Sequence, residues 1–211
     1  MEKIDYKKTL KPLFSAPLDR FVSVMVPSMQ FLKVDGEGDP NTSPAYRDAV
    51  EWLYGVSFSL KFAAKAGFGR DYVVPPLEGL WWADDPAHFV TRQKDMWRWT
   101  MMIMAPDFIT GEMFAEAVRR VALKREGARP PESLRLEIYA EGEVLQALHV
   151  GSYDDEGPLL ARLHHEVMPQ AGLTFNGPHH EIYLSDPRKT EARKLKTLLR
   201  QPVRTGIAVG V

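Results

Sequence analysis

The sequence predicts an α+β fold: two pseudo-symmetric βαββ units with antiparallel sheet, helices on one face and a ligand groove on the other. Three observations predict it. Strand-like runs rich in β-branched and aromatic residues alternate with segments of helical period, and each helical segment is bracketed by cap and glycine signals. The two halves follow one plan, a strand into a glycine turn, a helix, a strand with a lone central Glu, and a strand ending in Pro, with VDGEGD matching HVGSYDDE, PLEGLW matching HHEIYL, and WTMMIMAP matching KTLLRQP. A βαββ unit cannot bury its sheet alone, so two copies side by side are the natural solution. The third observation is the placing of aromatics: four of the five tryptophans fall between Asp71 and Phe108. Residues 1–204 are read as one domain with repeats at about 21–108 and 133–204, and 205–211 as a tail.

In chain order, residues 1–20 read as an arm lying on the domain. Phe21 to Asp35 reads as two short strands interrupted by Pro27. The loop GEGDPNTSP has Gly-x-Gly without a third glycine at the right spacing, so it is a turn and not a dinucleotide fingerprint. Ser43 and Pro44 are an N-cap and first-turn pair, opening a helix to about Ala66 that ends at Gly67. Tyr72–Trp82 and Trp97–Met104 read as antiparallel strands joined by a polar connection from Ala83 to Lys94. Thr110 caps a second helix with Met113, Phe114, Ala117, Val118 and Val121 as its apolar stripe. Leu134–Gly151 reads as a hairpin turning near Glu141–Glu143. Asp154 or Asp155 caps a third helix carrying Leu159, Leu160, Leu163 and Val167 and ending at Gly172. His179–Ser185 and Lys196–Arg204 close the sheet.

Composition bounds the function. A chain of 211 residues, 45% hydrophobic and 26% charged, has ample core. Its net charge of −1 offers no basic excess for nucleic acid or an anionic membrane. No apolar run approaches the ~20 residues that span a bilayer, and the first residues lack a secretory apolar core, so a cytoplasmic location is expected. Cysteine is absent, which excludes disulfides and thiolate chemistry.

Alternation puts Glu78, Leu80 and Trp82 on one strand face and Leu77, Gly79 and Trp81 on the other. A bulge at Gly79 would turn both Trp81 and Trp82 to the side of Glu78. Such tryptophans are more often core; the functional reading is a slot where planar molecules stack on indole beside a carboxylate. Under the internal symmetry Glu78 and Glu181 occupy equivalent positions and look into the groove between the copies. Two carboxylates are hard to explain as core, because an unpaired buried carboxylate costs several kcal/mol.

MEKIDYKK, FLKVDGEGDPN, PLEGLWW, WTMMIMAPDF, EGEVLQALHVGSYDDE, HHEIYLSDPRKT and TLLRQPV together resemble the GyrI-like small-molecule-binding proteins, specifically the free-standing branch without a DNA-binding domain. The resemblance implies the doubled βαββ fold and a groove for hydrophobic, often cationic aromatic molecules, with Glu181 at the position of the groove acid. It also implies hydrolysis of cyclopropanoid or isothiocyanate toxins, with Glu78, Trp81 and Trp82 matching in PLEGLWW and Tyr139 as a further candidate.

The expected catalytic residues are therefore Glu78, Glu181 and Tyr139, with Glu as general base and Tyr139 as proton donor. The expected ligand-binding residues are Trp81, Trp82, Trp97, Trp99, Tyr183 and Met102. Neither a cofactor nor a metal is expected: His179, His180 and Glu181 mimic a metal cluster, yet neighbours on a strand point to opposite faces and no third ligand is evident. His164 and His165 face apart on a helix, and His149 reads as a structural hydrogen-bond partner. The Met101, Met102 and Met104 run is ordinary core filler that also adapts to ligands. A non-catalytic drug-sequestering protein and a protein-interaction inhibitor are the alternatives.

Overall fold

The computed structural model describes residues 3–85, 88, 91 and 93–206. Of the connection expected over Ala83–Lys94, residues 86, 87, 89, 90 and 92 lie outside the described residues, as does the tail from Ile207. The chain folds into two compact units, the first of Met1–Thr9 and Met29–Tyr139, the second of Leu10–Ser28 and Ala140–Val211. No helix among the described residues is long and apolar enough to cross a membrane.

Unit 1 holds β1 (Lys3–Ile4), α1 (Tyr6–Thr9), β3 (Met29–Glu37), α2 (Pro44–Phe68), β4 (Asp71–Tyr72), β5 (Leu77–Trp82), β6 (Arg98–Ala105), α3 (Gly111–Lys124) and β7 (Arg135–Tyr139). Its antiparallel sheet runs β5-β6-β3-β7. The Ser43 hydroxyl accepts from the Tyr46 amide and Pro44 fills the first turn, so α2 starts where expected. It runs past Gly67 and stops at Gly69, whose φ of 63° is left-handed. Pro75 and Pro76, which cannot donate to a ladder, split the single strand expected over Tyr72–Trp82 into β4 and β5. Thr110 caps α3 by accepting from the Met113 amide. α3 packs along α2, where Arg125 bonds Asp48 and Glu51 at 2.9 Å each and lies 4.9 Å over the Trp52 ring.

Unit 2 holds β2 (Val22–Val26), β8 (Gly142–Val150), α4 (Gly157–Arg162), a π-helical turn (Leu163–Val167), α5 (Met168–Gln170), β9 (Leu173–Phe175), β10 (His179–Tyr183) and β11 (Lys196–Thr205). The strand order is β2-β8-β11-β10, with β9 paired to the end of β11. Leu134–Gly151, expected as one hairpin, is instead divided: β7 pairs with β3, and β8 pairs with β2 and β11. Neither Asp154 nor Asp155 caps the third helix; a 3-10 turn over Tyr153–Glu156 leads into α4 at Gly157 and Pro158. Pro169 has no N–H to return to the carbonyl four residues back, and the helix widens to π geometry just before it. Leu159 packs with Ala147 and Leu199, while Leu163 and Met168 pack with Leu145 and Val203.

Two predictions follow from unit 1. Lys61, with Lys65 assisting, holds the Asp71 carboxyl at about 2 against its ordinary 3.8. A depressed carboxyl stabilises the fold above its unfolded value, and that contribution is lost as pH falls from about 4 to about 2. Urea unfolding between about pH 5 and pH 2 should show the midpoint of wild type falling more steeply than that of Asp71→Asn; equal slopes would remove this pair from the acid limb. Gly36 lies opposite Trp99 in register, and a Cβ there would overlap the indole ring. Gly36→Ala should cost about 1–3 kcal/mol, the usual penalty for overpacking, read from the same unfolding curves at neutral pH.

Candidate functional site

Register assigns the candidate residues to faces. β5 and β6 pair one to one from Leu77↔Ile103 through Glu78↔Met102 and Trp81↔Trp99 to Trp82↔Arg98, so no bulge forms at Gly79 and the two tryptophans point to opposite sides. Trp81 and Trp99 take the α2 side. There Tyr46 of α2 stacks on Trp81 at 6.2 Å and meets Trp99 edge-on at 5.3 Å, and Trp97 meets Trp81 edge-on at 5.9 Å. Trp99 and Trp81 are only 1% and 4% exposed and form the floor, while Tyr46 and Trp97 are half-buried and present ring surface. The Trp97 indole donates to the His88 carbonyl at 3.3 Å, which fixes its ring.

Glu78, Trp82 and Met102 lie on the other face of this sheet, away from α2, with Tyr139 of β7. Glu78 and Met102 are buried there. Lys33 reaches between them and the edge strand, pairing with Glu137 at 2.8 Å and sitting 4.5 Å over the Tyr139 ring. The Tyr139 ring therefore packs on a cation and on Phe31, 6.3 Å away.

In unit 2 the register pairs Glu181 with Leu199 and Tyr183 with Thr197, and Leu199 with Ala147. Leu199 and Ala147 pack against Leu159 of α4, so His179, Glu181 and Tyr183 lie on the helix side of their own sheet. This corrects the expected equivalence of the two acids: Glu78 faces away from the helix of its unit and Glu181 toward the helix of its own. The pairing itself agrees between the repeats, Glu78 opposite Met102 and Glu181 opposite Leu199; what differs is the face each helix covers, that of Trp81 and Trp99 in unit 1 and that of Leu199 in unit 2. Glu181 is partly open, its side chain 13% exposed. The Tyr183 hydroxyl donates to Glu181 Oε2 at 2.8 Å, His179 Nε2 stands 3.5 Å from Oε1, and Tyr153 packs edge-on to Tyr183 at 5.6 Å. A row of imidazole, carboxylate and phenol along one strand offers an oriented acceptor oxygen beside aromatic surface. That is the chemistry of a general base or of a counter-charge for a cation.

The reverse face of the unit 2 sheet holds a network with no counterpart in the sequence reading. His180 Nδ1 donates to Glu141 Oε1 at 2.7 Å, Arg200 donates to Glu141 Oε2 at 2.9 Å and to the Leu13 carbonyl at 2.6 Å, and Gln146 donates to the carbonyls of Pro12 and Ser15. Burial opposes the Glu141 charge, but His180 and Arg200 outweigh it and hold the carboxyl below its ordinary range. The network pins the segment Leu10–Ser15 to the sheet. Its sequence signals were Gln146 among the apolar residues of β8 and Arg200 following Leu198 and Leu199 in β11.

Among known proteins, the GyrI-like small molecule binding domain family matches residues 21–204. A solved structure of an uncharacterized conserved protein from Listeria innocua is 38% identical over 96% of this chain and 100% of its own, with a TM-score of 0.86. A hydrolase from Listeria innocua is 39% identical over the same shares, with a TM-score of 0.80. The EcmrR C-terminal domain, at 10% identity, 88% of this chain and 98% of its own, shares the fold at a TM-score of 0.54. No curated protein matches.

The ring assembly on the α2 side predicts how a ligand would be detected there. A rhodamine stacked on Trp97 and Tyr46 should quench tryptophan fluorescence saturably, and Trp97→Ala should weaken its binding by about 1–2 kcal/mol, roughly tenfold. Trp82→Ala, on the other face, should bind as wild type does; the reverse pattern in a fluorescence titration would move the ligand to the Glu78 side.

Proposed function

The chain belongs to the GyrI-like small molecule binding domain family, and from that we propose that it binds hydrophobic aromatic and electrophilic molecules and hydrolyses electrophilic toxins of the isothiocyanate or cyclopropanoid kind. The observation that carries the reading is the Glu181 carboxylate, partly open on the helix side and oriented by the Tyr183 hydroxyl. Among the expected catalytic residues Glu181 is the base. Buried Glu78, and Tyr139 packed beneath Lys33, support structure in this assignment. Of the expected ligand-binding residues, Tyr183 stands beside Glu181 in unit 2 and contacts ligand there; Trp81 and Trp97, with Trp99 beneath them, offer an aromatic surface of unit 1. The hydrolase among the Listeria innocua relatives favours catalysis over storage.

For an isothiocyanate the step balances simply. Glu181 takes a proton from water as the water oxygen bonds to the central carbon, the C=N π pair moves to nitrogen, and Glu181 returns its proton to that nitrogen, which restores the carboxylate. The resulting thiocarbamic acid breaks its C–N bond to release amine and carbonyl sulfide. Tyr183, bonded to the carboxylate, keeps the second oxygen aimed at water.

Glu181→Gln keeps shape while losing the basic oxygen, so turnover of a neutral isothiocyanate should fall by at least about 10²-fold while its binding stays within a few fold. Loss of substrate absorbance measures the rate. Dye binding without turnover above the buffer rate in wild type would leave a sequestering protein; unchanged turnover in the variant would displace Glu181 as the base.

A further inference from the structure

We infer that the outward strip of α2 pairs with the same strip of a second copy of this chain, the two helices antiparallel about a two-fold axis at Phe58. Tyr54, Phe58 and Phe62 follow one another at four-residue steps, so they lie along one side of the helix. Their rings stack at 6.3 and 6.5 Å with interplanar angles of 24° and 27°, which makes a flat aromatic ladder. Phe58 is 44% exposed and Phe62 60%. The other sides of α2 face its own unit: Leu53, Val56 and Leu60 are buried, and Gly55 lies close against Val121 of α3. A single exposed ring on a helix needs no explanation, but an ordered row of them is the kind of apolar patch that marks a protein interface.

The spacing on this strip reads the same from either end. Glu51, Tyr54, Phe58, Phe62 and Lys65 are separated by steps of three, four, four and three residues, the spacing at which two helices pack at a shallow angle. A two-fold axis at Phe58 therefore sets Phe58 on its own copy, Tyr54 against Phe62 and Glu51 against Lys65, with each unlike contact made twice. Charge selects the direction. Glu51 stands with Asp48 around Arg125, and Lys65 stands with Lys61 around Asp71, so the first cluster is net negative and the second net positive. Antiparallel pairing joins unlike clusters, whereas parallel pairing would set like on like. Arg47, one turn beyond Glu51, falls opposite Gly69, where the second helix ends and its carbonyls favour a cation. The Glu51 and Lys65 side chains are 66% and 53% exposed, so these pairs orient the dimer while the rings hold it. Phe58 and Phe62 leave roughly 200 Å² of their surface open per copy, well short of the ~800 Å² per partner of a standard interface, so the dimer is weak and concentration-dependent.

The test is sedimentation equilibrium of the intact chain from about 5 to about 500 µM, a range that spans weak association. The average mass should rise from one chain toward two, and Phe58→Glu should weaken association at least about tenfold. A wild type that stays at one chain throughout overturns the inference and leaves the strip to another partner. A dimer that Phe58→Glu leaves intact overturns it too, because the copies then meet elsewhere. Since the chain has no cysteine, the register can be read separately. Glu51→Cys and Lys65→Cys chains, mixed and mildly oxidised, should give a disulfide-linked dimer. Either variant alone should give at least about tenfold less, because equivalent positions lie roughly 20 Å apart along the paired helices. Each variant loses only an exposed ion pair, a change the fold tolerates. Linkage in a single variant as fast as in the mixture overturns the antiparallel pairing, and with the wild-type masses it decides the matter even should Phe58→Glu not fold.

Discussion

Side-chain alternation is the constraint from which each unit's candidate surface follows, along β5 in unit 1 and along β10 in unit 2. Once Tyr46 of α2 packs on Trp81 and Trp99, the unbroken pairing from Leu77 to Trp82 sends Glu78, Trp82 and Met102 to the other face. Once Leu159 of α4 packs on Ala147 and Leu199, the pairing of Glu181 with Leu199 brings Glu181 to the helix side. Since the period of a strand is two, a slip of one residue in either ladder would exchange the faces wholesale. The helices that choose the faces are in turn fixed by ordinary cap chemistry, Ser43 and Pro44 for α2 and Thr110 for α3.

Burial then separates acids that look alike in sequence. A carboxylate removed from water must be matched by charge and hydrogen bonds, and a buried pair deprived of one member costs about 3–5 kcal/mol. Glu141 meets that demand with His180 on one oxygen and Arg200 on the other, and Arg200 spends its remaining donors on Gln146 and the Leu13 carbonyl. Such a group is committed to holding the fold. Glu181 has one oxygen bonded to Tyr183 and remains partly open, which leaves it able to meet a ligand. Among these acids, exposure rather than strand position marks the one suited to chemistry.

Much of this was legible from local pattern. The caps of α2 and α3, the paired strands β5 and β6, and the α+β class all rest on short-range signals: Ser-Pro before a helical period, a threonine cap, and β-branched or aromatic runs. What failed was longer in range or finer in phase. The string over residues 135–150 has the composition of a hairpin, yet β7 and β8 each find partners far away in sequence, which no local pattern encodes. Gly67 and Gly69 are equally good stop signals by type, and only the backbone shows which one turns left-handed. The letter match of PLEGLW with HHEIYL paired Glu78 with Glu181, and the ladders do agree, Glu78 opposite Met102 and Glu181 opposite Leu199, but letters do not say which face of its sheet a helix will cover. β9 is three residues long and was too short to stand out.

The aromatic surface owes its usefulness to the core beneath it. Trp99 can lie flat over the sheet because Gly36 opposite it has no Cβ, and this ring is essentially fully buried. Tyr46 rests edge-on against Trp99 and stacks on Trp81, and Trp81 in turn meets Trp97, so a chain of four rings runs from the interior to the surface. Each contact fixes the orientation of the next ring, and an indole or phenol already held in place loses little conformational freedom when a planar molecule stacks on it. A surface made of isolated exposed aromatics would have to order its side chains at the moment of binding. Here that ordering is accomplished during folding, which is why tryptophans that are themselves core still matter to a site they barely touch.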